Sequence, residues 1–286
     1  MANLKEIRNR ISSVSSTMQI TSAMKMVSAA KLKKAQDAIT AMRPYADKLT
    51  ELLQSLSASL DADSGSDFAE ERPIGKVLIV AITSNRGLCG AFNTNIIKQS
   101  ILLDENTYSG TQVDFVAIGK KANDILGKKA TIRANHSEVF DELTFENVAL
   151  IAEDLMELFK NGSYDKIELV YNKFKNAATQ IVMTEQFLPI VPAKGAENSN
   201  SDYIFEPTKA EIVEQLIPKS LKTQLYKAVR DSFASEHGAR MTAMHKATDN
   251  ATDLRDQLKL TYNQARQAAI TNEILEIVGG AEALNG

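Results

Sequence analysis

The chain lacks tryptophan altogether and has one cysteine, six prolines and thirteen glycines in 286 residues. The single thiol, Cys89, excludes an intramolecular disulfide and a cysteine-built metal site. Sparse glycine and proline exclude a low-complexity chain. No stretch reaches the ~18 apolar residues that a membrane span needs, and Met1-Ala-Asn-Leu-Lys5 has no apolar signal core. A soluble protein is expected, one that meets a membrane only through partners. Net charge is −3 and names no partner, but its distribution is uneven. Residues 1–60 hold nine bases against four acids, whereas acids outnumber bases over residues 61–205.

What the chain does have is helix former at both ends. From Ser220 onward there is no proline, and glycine is rare before Gly279. Ala, Leu, Lys, Gln, Arg and Glu dominate, and the run far exceeds the usual ~11–12-residue helix. Its tip is apolar around much of the circumference, through Ile270, Ile274, Leu275, Ile277, Val278 and Leu284. Such a terminus frays or aggregates unless something encloses it. Either this protein's own core or a socket supplied by other chains would do so.

The N-terminal segment is a second long helix. One heptad register runs from Leu4 through Ile7, Ile11, Val14, Met18, Thr21, Lys25, Ser28, Leu32, Ala35, Ile39, Met42, Ala46, Leu49, Leu53 and Leu56 to Leu60. A sustained 3.5-residue repeat marks a left-handed coiled coil. The register is weak at Thr21, Lys25 and Ser28, where Met24, Met26 and Val27 offer a neighbouring apolar stripe. Pro44 should kink or break this helix near Arg43.

The middle changes period. A polar linker over residues 61–73 leads to Lys76-Val-Leu-Ile-Val-Ala-Ile82, a β-branched run suited to a strand buried on both faces. A Gly-rich loop follows, then a helix over 93–103, a strand over 112–118, a helix over 120–126 and a short strand near 130–133. An amphipathic helix over 145–160 precedes a strand pair over 166–174 and 180–190. Alternating β and α with apolar strands argues a three-layer α/β domain with a mainly parallel sheet. A second polar linker, 193–202, leads to a short helix over 209–217, and Pro218 suits the first turn of the long terminal helix. The fold class read here is therefore α/β. An antiparallel two-helix coiled coil is formed by residues 1–60 and 208–286, and a Rossmann-like α/β domain, residues 74–192, is inserted between its arms.

Chemistry-bearing motifs are few. Gly87-Leu-Cys-Gly90 follows a strand but lacks both the G-x-G-x-x-G spacing and a Walker lysine, so it reads as a tight β-to-α turn. No histidine lies near Cys89 in sequence, and a packed thiol is expected there. His237 and His245 stand eight apart and His136 is remote, so neither a metal site nor a cofactor is expected. The bases of the first helix are scattered and lack interleaved aromatics, which favours a solvated face or an acidic partner over nucleic acid.

Several stretches together resemble the gamma subunit of the F-type ATP synthase. They are Ile20-Thr-Ser-Ala-Met-Lys-Met-Val-Ser-Ala-Ala-Lys-Leu32, Arg43-Pro-Tyr-Ala46, Ser84-Asn-Arg-Gly-Leu-Cys-Gly90, Ala234-Ser-Glu-His-Gly-Ala-Arg-Met241, Ala247-Thr-Asp-Asn250 and the tip from Tyr262 to Leu284. The resemblance spans essentially the whole chain. It implies a non-catalytic rotor shaft inside a hexamer of alpha and beta subunits, with the α/β domain near the epsilon subunit and the membrane ring of c subunits. Torque from proton flow would pass to ATP sites on the beta subunits, at the cytoplasmic face of a bacterial inner membrane.

Residue by residue, it implies contacts to the hexamer from Met24, Lys25, Arg266, Gln267, Thr271, Ile274, Ile277 and Leu284. It implies contacts at the foot from Tyr203, Phe205 and Glu206, with Phe205 standing where relatives often carry tyrosine. The regulatory cysteine pair of the chloroplast form has no counterpart, because Cys89 is alone. Two other readings stay open on the residues themselves, a coiled-coil scaffold carrying an α/β binding module and a nucleotide-binding enzyme built on residues 75–192. Copurification separates them: a rotor brings down a large ATPase, a scaffold other partners, and an enzyme binds nucleotide alone.

Overall fold

The computed structural model describes residues 4–57, 68–190 and 209–285. In chain order it holds α1 (Leu4–Ser57), β1 (Lys76–Ile82), α2 (Phe92–Leu102), β2 (Gln112–Ile118), α3 (Lys120–Leu126), β3 (Ile132–Asn135), α4 (Phe145–Lys160), β4 (Lys166–Phe174), β5 (Gln180–Leu188) and α5 (Lys209–Asn285). A π-helical turn, Leu103–Thr107, closes α2. The chain divides into two compact units, one of residues 1–28 with 241–286 and one of residues 29–240.

The second unit is built on a five-stranded sheet of order β3-β2-β1-β4-β5. β1 pairs in parallel with β2 and β4, β2 in parallel with β3, and only β5 runs antiparallel, against β4. Val77 through Ile82 are fully buried because both faces of β1 are covered. Val77, Ile79 and Ala81 enter a core with Ile96 and Ile97 of α2 and Ala122 and Leu126 of α3. Leu78, Val80 and Ile82 enter a second core with Val148, Leu155 and Phe159 of α4 and with Leu221, Leu225 and Val229 of α5. The expected helix–sheet–helix layering is present, and α5 supplies part of one layer.

Local signals act as the chemistry demands. Thr144 caps α4 by accepting a hydrogen bond from the Asn147 N–H at 3.3 Å. Gly119, before α3, has φ +117°, and a Cβ there would lie 2.3 Å from the Thr83 carbonyl oxygen. Only glycine fits so close an approach.

In the first unit the heptad register survives its weak centre. Ile7, Thr21 and Ser28 are buried and Leu4, Ile11, Val14, Met18 and Lys25 half-buried, while most positions between them are exposed. Thr21 Oγ1 meets Thr248 Oγ1 at 2.8 Å. The Thr252 hydroxyl donates to Met18 Sδ at 3.4 Å, and Arg8 donates to the Tyr262 hydroxyl at 2.7 Å. Falling numbers on α1 meet rising numbers on α5, so the helices pair antiparallel. The polar centre is thus a hydrogen-bonded seam of threonines where the apolar register lapses.

Four local expectations need correction. α1 runs unbroken through Pro44, with no break at Arg43. The helix expected over 209–217 is the first part of α5, which carries Pro218 in its interior. A proline removes one N–H from the ladder, and the packing of Ile217, Leu221 and Leu225 into the sheet's core outweighs that loss. β3 lies at Ile132–Asn135, two residues later than expected, set by its pairing with Phe115–Ala117. β5 stops at Leu188, before the cis Leu188–Pro189 peptide.

Candidate functional site

The residues singled out on the two long helices fall into separate places. Arg8 sits beside Tyr262, and carried on at that register Leu4, the first described residue of α1, reaches only the turn near Arg266. Residues 267–285 of α5 therefore continue with no described part of α1 beside them. Ile274 is 54%, Leu275 63% and Ile277 71% exposed. Arg266, Gln267 and Thr271 are exposed too, and the Thr271 hydroxyl is turned back onto the Gln267 carbonyl at 2.9 Å. Of the two fates open to an apolar terminus, burial in this chain's own core is not the one observed.

Met24 and Lys25 are half-buried on α1, on the turns that face the neighbourhood of Met244 and Thr248. About twenty residues of α5 separate them from Arg266, roughly 30 Å at ~1.5 Å per residue, so the structure does not bring the two groups together. Beside them Ile20, Met26 and Val27 remain exposed, an outward apolar stripe next to the threonine seam. Tyr203, Phe205, Glu206 and the side chain of Leu284 lie outside the described residues, as do the linker over 193–202 and most of that over 61–73.

The Gly-rich loop is a closed structure. The Asn93 carboxamide oxygen accepts the Ser84 N–H at 2.9 Å, and its amide group donates to Ser84 Oγ at 2.9 Å and Cys89 Sγ at 3.2 Å. Asn85 donates to the Ser137 carbonyl and accepts the Lys120 N–H, tying the loop to the start of α3. Cys89 is 2% exposed, and burial pushes its thiol pKa up, against the opposing Ser84 hydrogen bond. Such a thiol is inert at neutral pH.

In an open α/β sheet, ligands enter the crevice outside the carboxyl ends of the strands, where the strand order reverses. Here that point lies between β1 and β4, and α5 occupies it. Ser235 donates to the Asn172 carbonyl at 2.9 Å, and Gly238 lies so close to Ala177 that a Cβ would sit 3.2 Å from its Cα. Arg240 pairs with Glu236 and donates to the Arg86 and Gly87 carbonyls at 3.1 and 3.3 Å. Burial raises the Glu236 pKa, with Arg240 opposing. His237, 5% exposed and edge-on to Phe233 at 4.5 Å, is held neutral by burial, its pKa lowered to about 4.

This contact joins two of the quoted motifs, the 84–90 loop and the 234–241 stretch. A signal for it was present in the sequence: Ala234, Ser235 and Gly238 put small residues on one helix face, the pattern for close backbone approach.

The remaining histidines are dispersed. His136 lines a cleft of about 500 Å³ with Arg133, Asp154, Glu157 and Asn161, and burial lowers its pKa. His245 pairs with Asp249 on the surface at 3.3 Å. Among the described residues no three His, Cys, Asp or Glu side chains cluster as a metal site, and no helix is long and apolar enough to cross a membrane.

A family model described as ATP synthase matches residues 3–284. The chain is 74% identical over 287 residues to the ATP synthase gamma chain of Flavobacterium psychrophilum, with all of both chains covered. Among solved structures, it resembles a chain of the Euglena gracilis mitochondrial ATP synthase OSCP/F1/c-ring assembly in rotational state 3. There the TM-score is 0.73 at 25% identity, over 98% of this chain and 94% of that one. A chain of the Tetrahymena thermophila mitochondrial ATP synthase central stalk/c-ring gives a TM-score of 0.57 at 26% identity, over 80% of this chain and 99% of that one.

Proposed function

The chain belongs to the ATP synthase gamma chain family and is the central-stalk rotor subunit of an F-type ATP synthase; from that premise we propose how its parts act in the complex. It performs no chemistry of its own and binds no cofactor, but carries torque between proton flow and ATP sites on other chains. Residues 1–60 and 208–286 form the shaft, and residues 74–192 form the inserted domain. The apolar tip turns within the hexamer of alpha and beta subunits, touching it through Arg266, Gln267, Thr271, Ile274, Ile277 and Leu284. Met24 and Lys25 touch the same hexamer lower on the shaft. Tyr203, Phe205 and Glu206 meet the c-subunit ring and the epsilon subunit. The complex sits at the cytoplasmic face of a bacterial inner membrane, and this chain reaches the membrane only through its partners.

The observation that supports this reading is the tip itself, apolar and uncovered beyond the end of α1. A shaft that turns in a sleeve of three similar subunits gains from contacts that slide. Apolar contact is non-directional, whereas each fixed hydrogen bond, worth about 0.5–1.5 kcal/mol net, would have to break at every step. Reconstitution with alpha and beta subunits tests it. Ile274→Ala should assemble with mildly reduced turnover, and Ile274→Asp should be severely impaired because it strands a carboxylate in an apolar sleeve. Arg266→Ala should assemble but hydrolyse ATP more slowly. Wild-type assembly and turnover by Ile274→Asp would refute the sleeve.

A further inference from the structure

The loop after β1 is gripped by a residue from far along the chain. The Arg240 side chain serves three acceptors, the Glu236 carboxylate and the neighbouring carbonyls of Arg86 and Gly87. Two successive carbonyls turned to one cation require a sharp bend. The bend is completed by Leu88 at φ +61° and Gly90 at φ +60°. A leucine in the left-handed region persists only where its surroundings over-determine it. Below the bend, Cys89 is buried against Ser84 and Asn93, while Leu88 is 65% exposed.

We propose that Arg240 is a latch, a positioning residue that fixes the 84–90 loop to α5 so that the sheet and α5 up to Arg240 turn as one body. This rests on the rotor reading, since only a chain under torque needs it. Apolar packing of a helix on a sheet resists separation better than sliding, because it has no preferred register. Directional bonds supply the register. Arg43 of α1, which bridges the Phe174 carbonyl at the end of β4 and the Asp231 carboxylate of α5, and Ser235, which donates to the Asn172 carbonyl, supply two such ties, and Arg240 follows them along α5. Its bonds are charge-assisted and fan from one planar group, a geometry that lysine, with a single ammonium, cannot reproduce. The strained loop is thereby a part of the grip, which explains a Gly-rich turn at a crevice already filled by the chain itself.

The test uses the complete ATP synthase in vesicles, with Arg240→Gln, the pair Glu236→Gln/Arg240→Gln, and Arg240→Lys. Cys89, this chain's one thiol, reports the loop through its rate of maleimide labelling. Protons pumped per ATP hydrolysed report the coupling. Both Gln variants should label at least tenfold faster and pump half or less per ATP, with Arg240→Lys between them and wild type on both readouts. Unchanged labelling, or faster labelling with unchanged pumping per ATP, would overturn the latch. Should Arg240→Gln fail to assemble, the pair variant decides, since it strands no buried carboxylate. Should both fail, Arg240→Lys decides: wild-type values on both readouts refute the proposal. A wild-type complex that assembled without pumping would count against the rotor reading, leaving the latch to be judged on labelling.

Discussion

His237 makes the unit of residues 29–240 sensitive to mild acid, to an extent its surroundings fix. Its ring is buried edge-on to Phe233, and neither ring nitrogen has a hydrogen-bond partner among the described residues. The charged groups that act on it, Arg240 on its own helix and Lys31 on α1, are both cationic. Burial first, and these two cations second, lower its pKa from 6.5 to about 4. The folded state thus refuses a proton that the unfolded state accepts. The sign follows from linkage: stability is full above pH 6.5, is lost as pH falls towards 4, and loses nothing more from this group below that. At about 1.4 kcal/mol per pKa unit the whole effect is roughly 3 kcal/mol, and about 2 kcal/mol of it is spent between pH 8 and pH 5.

His237→Leu removes the titrating ring and keeps an apolar side chain of similar size. Thermal unfolding followed by circular dichroism at pH 8 and pH 5 gives the comparison. The wild-type midpoint should fall about 4–8 °C further than that of the variant, since 1 kcal/mol moves Tm by about 2–4 °C at this size. Carboxylates common to both proteins, including Glu236 and Asp231 with their raised pKa values, cancel in the difference. Equal losses in the two proteins, or an imidazole titrating near 6.5 in the folded chain, would refute the reasoning.

Three further outcomes follow from particular contacts. Gly119→Ala should cost more than about 3 kcal/mol or prevent folding, because its Cβ would meet the Thr83 carbonyl oxygen at 2.3 Å; urea unfolding measures it. Thr21→Val should cost about 1 kcal/mol by leaving Thr248 without its cross-helix partner, and Thr21→Val with Thr248→Val should recover most of that in the same unfolding assay. Calorimetry of the full chain should show no micromolar binding of ATP or NAD, since α5 fills the crevice between β1 and β4; micromolar binding lost on changing Gly87 or Gly90 would favour an enzyme.

Periodicity made the fold legible. The heptad from Leu4 to Leu49 matches the buried and half-buried positions of α1 even where its residues are Thr21, Lys25 and Ser28, because the spacing, rather than hydrophobicity, sets which face meets a partner. In β1 the signal is the opposite one, since hydrophobicity without any alternation announces burial on both faces. Punctuation misled. Pro44 and Pro218 each remove one N–H, a local cost that a helix of 54 or 77 residues absorbs through packing along its length. Neither proline ends anything here.

The crevice was illegible for a different reason. The spacing of Gly87-Leu-Cys-Gly90 bears on phosphate ligands alone, whereas the loop's partner is a helix about 150 residues onward in the same chain. Composition cannot show that pairing, since Arg240 looks like any other helical arginine until the fold turns it to two backbone carbonyls. The tip is the opposite case. Its apolar residues at Ile270, Ile274 and Ile277 advertise a contact that no described residue of this chain makes, and folding leaves them as exposed as the sequence implied. An internal site is thus invisible in the sequence because both halves look satisfied apart. An external one is visible because one half is missing. The outward stripe of Ile20, Met26 and Val27 beside the threonine seam has the same character as the tip, apolar and uncovered by any described residue of this chain.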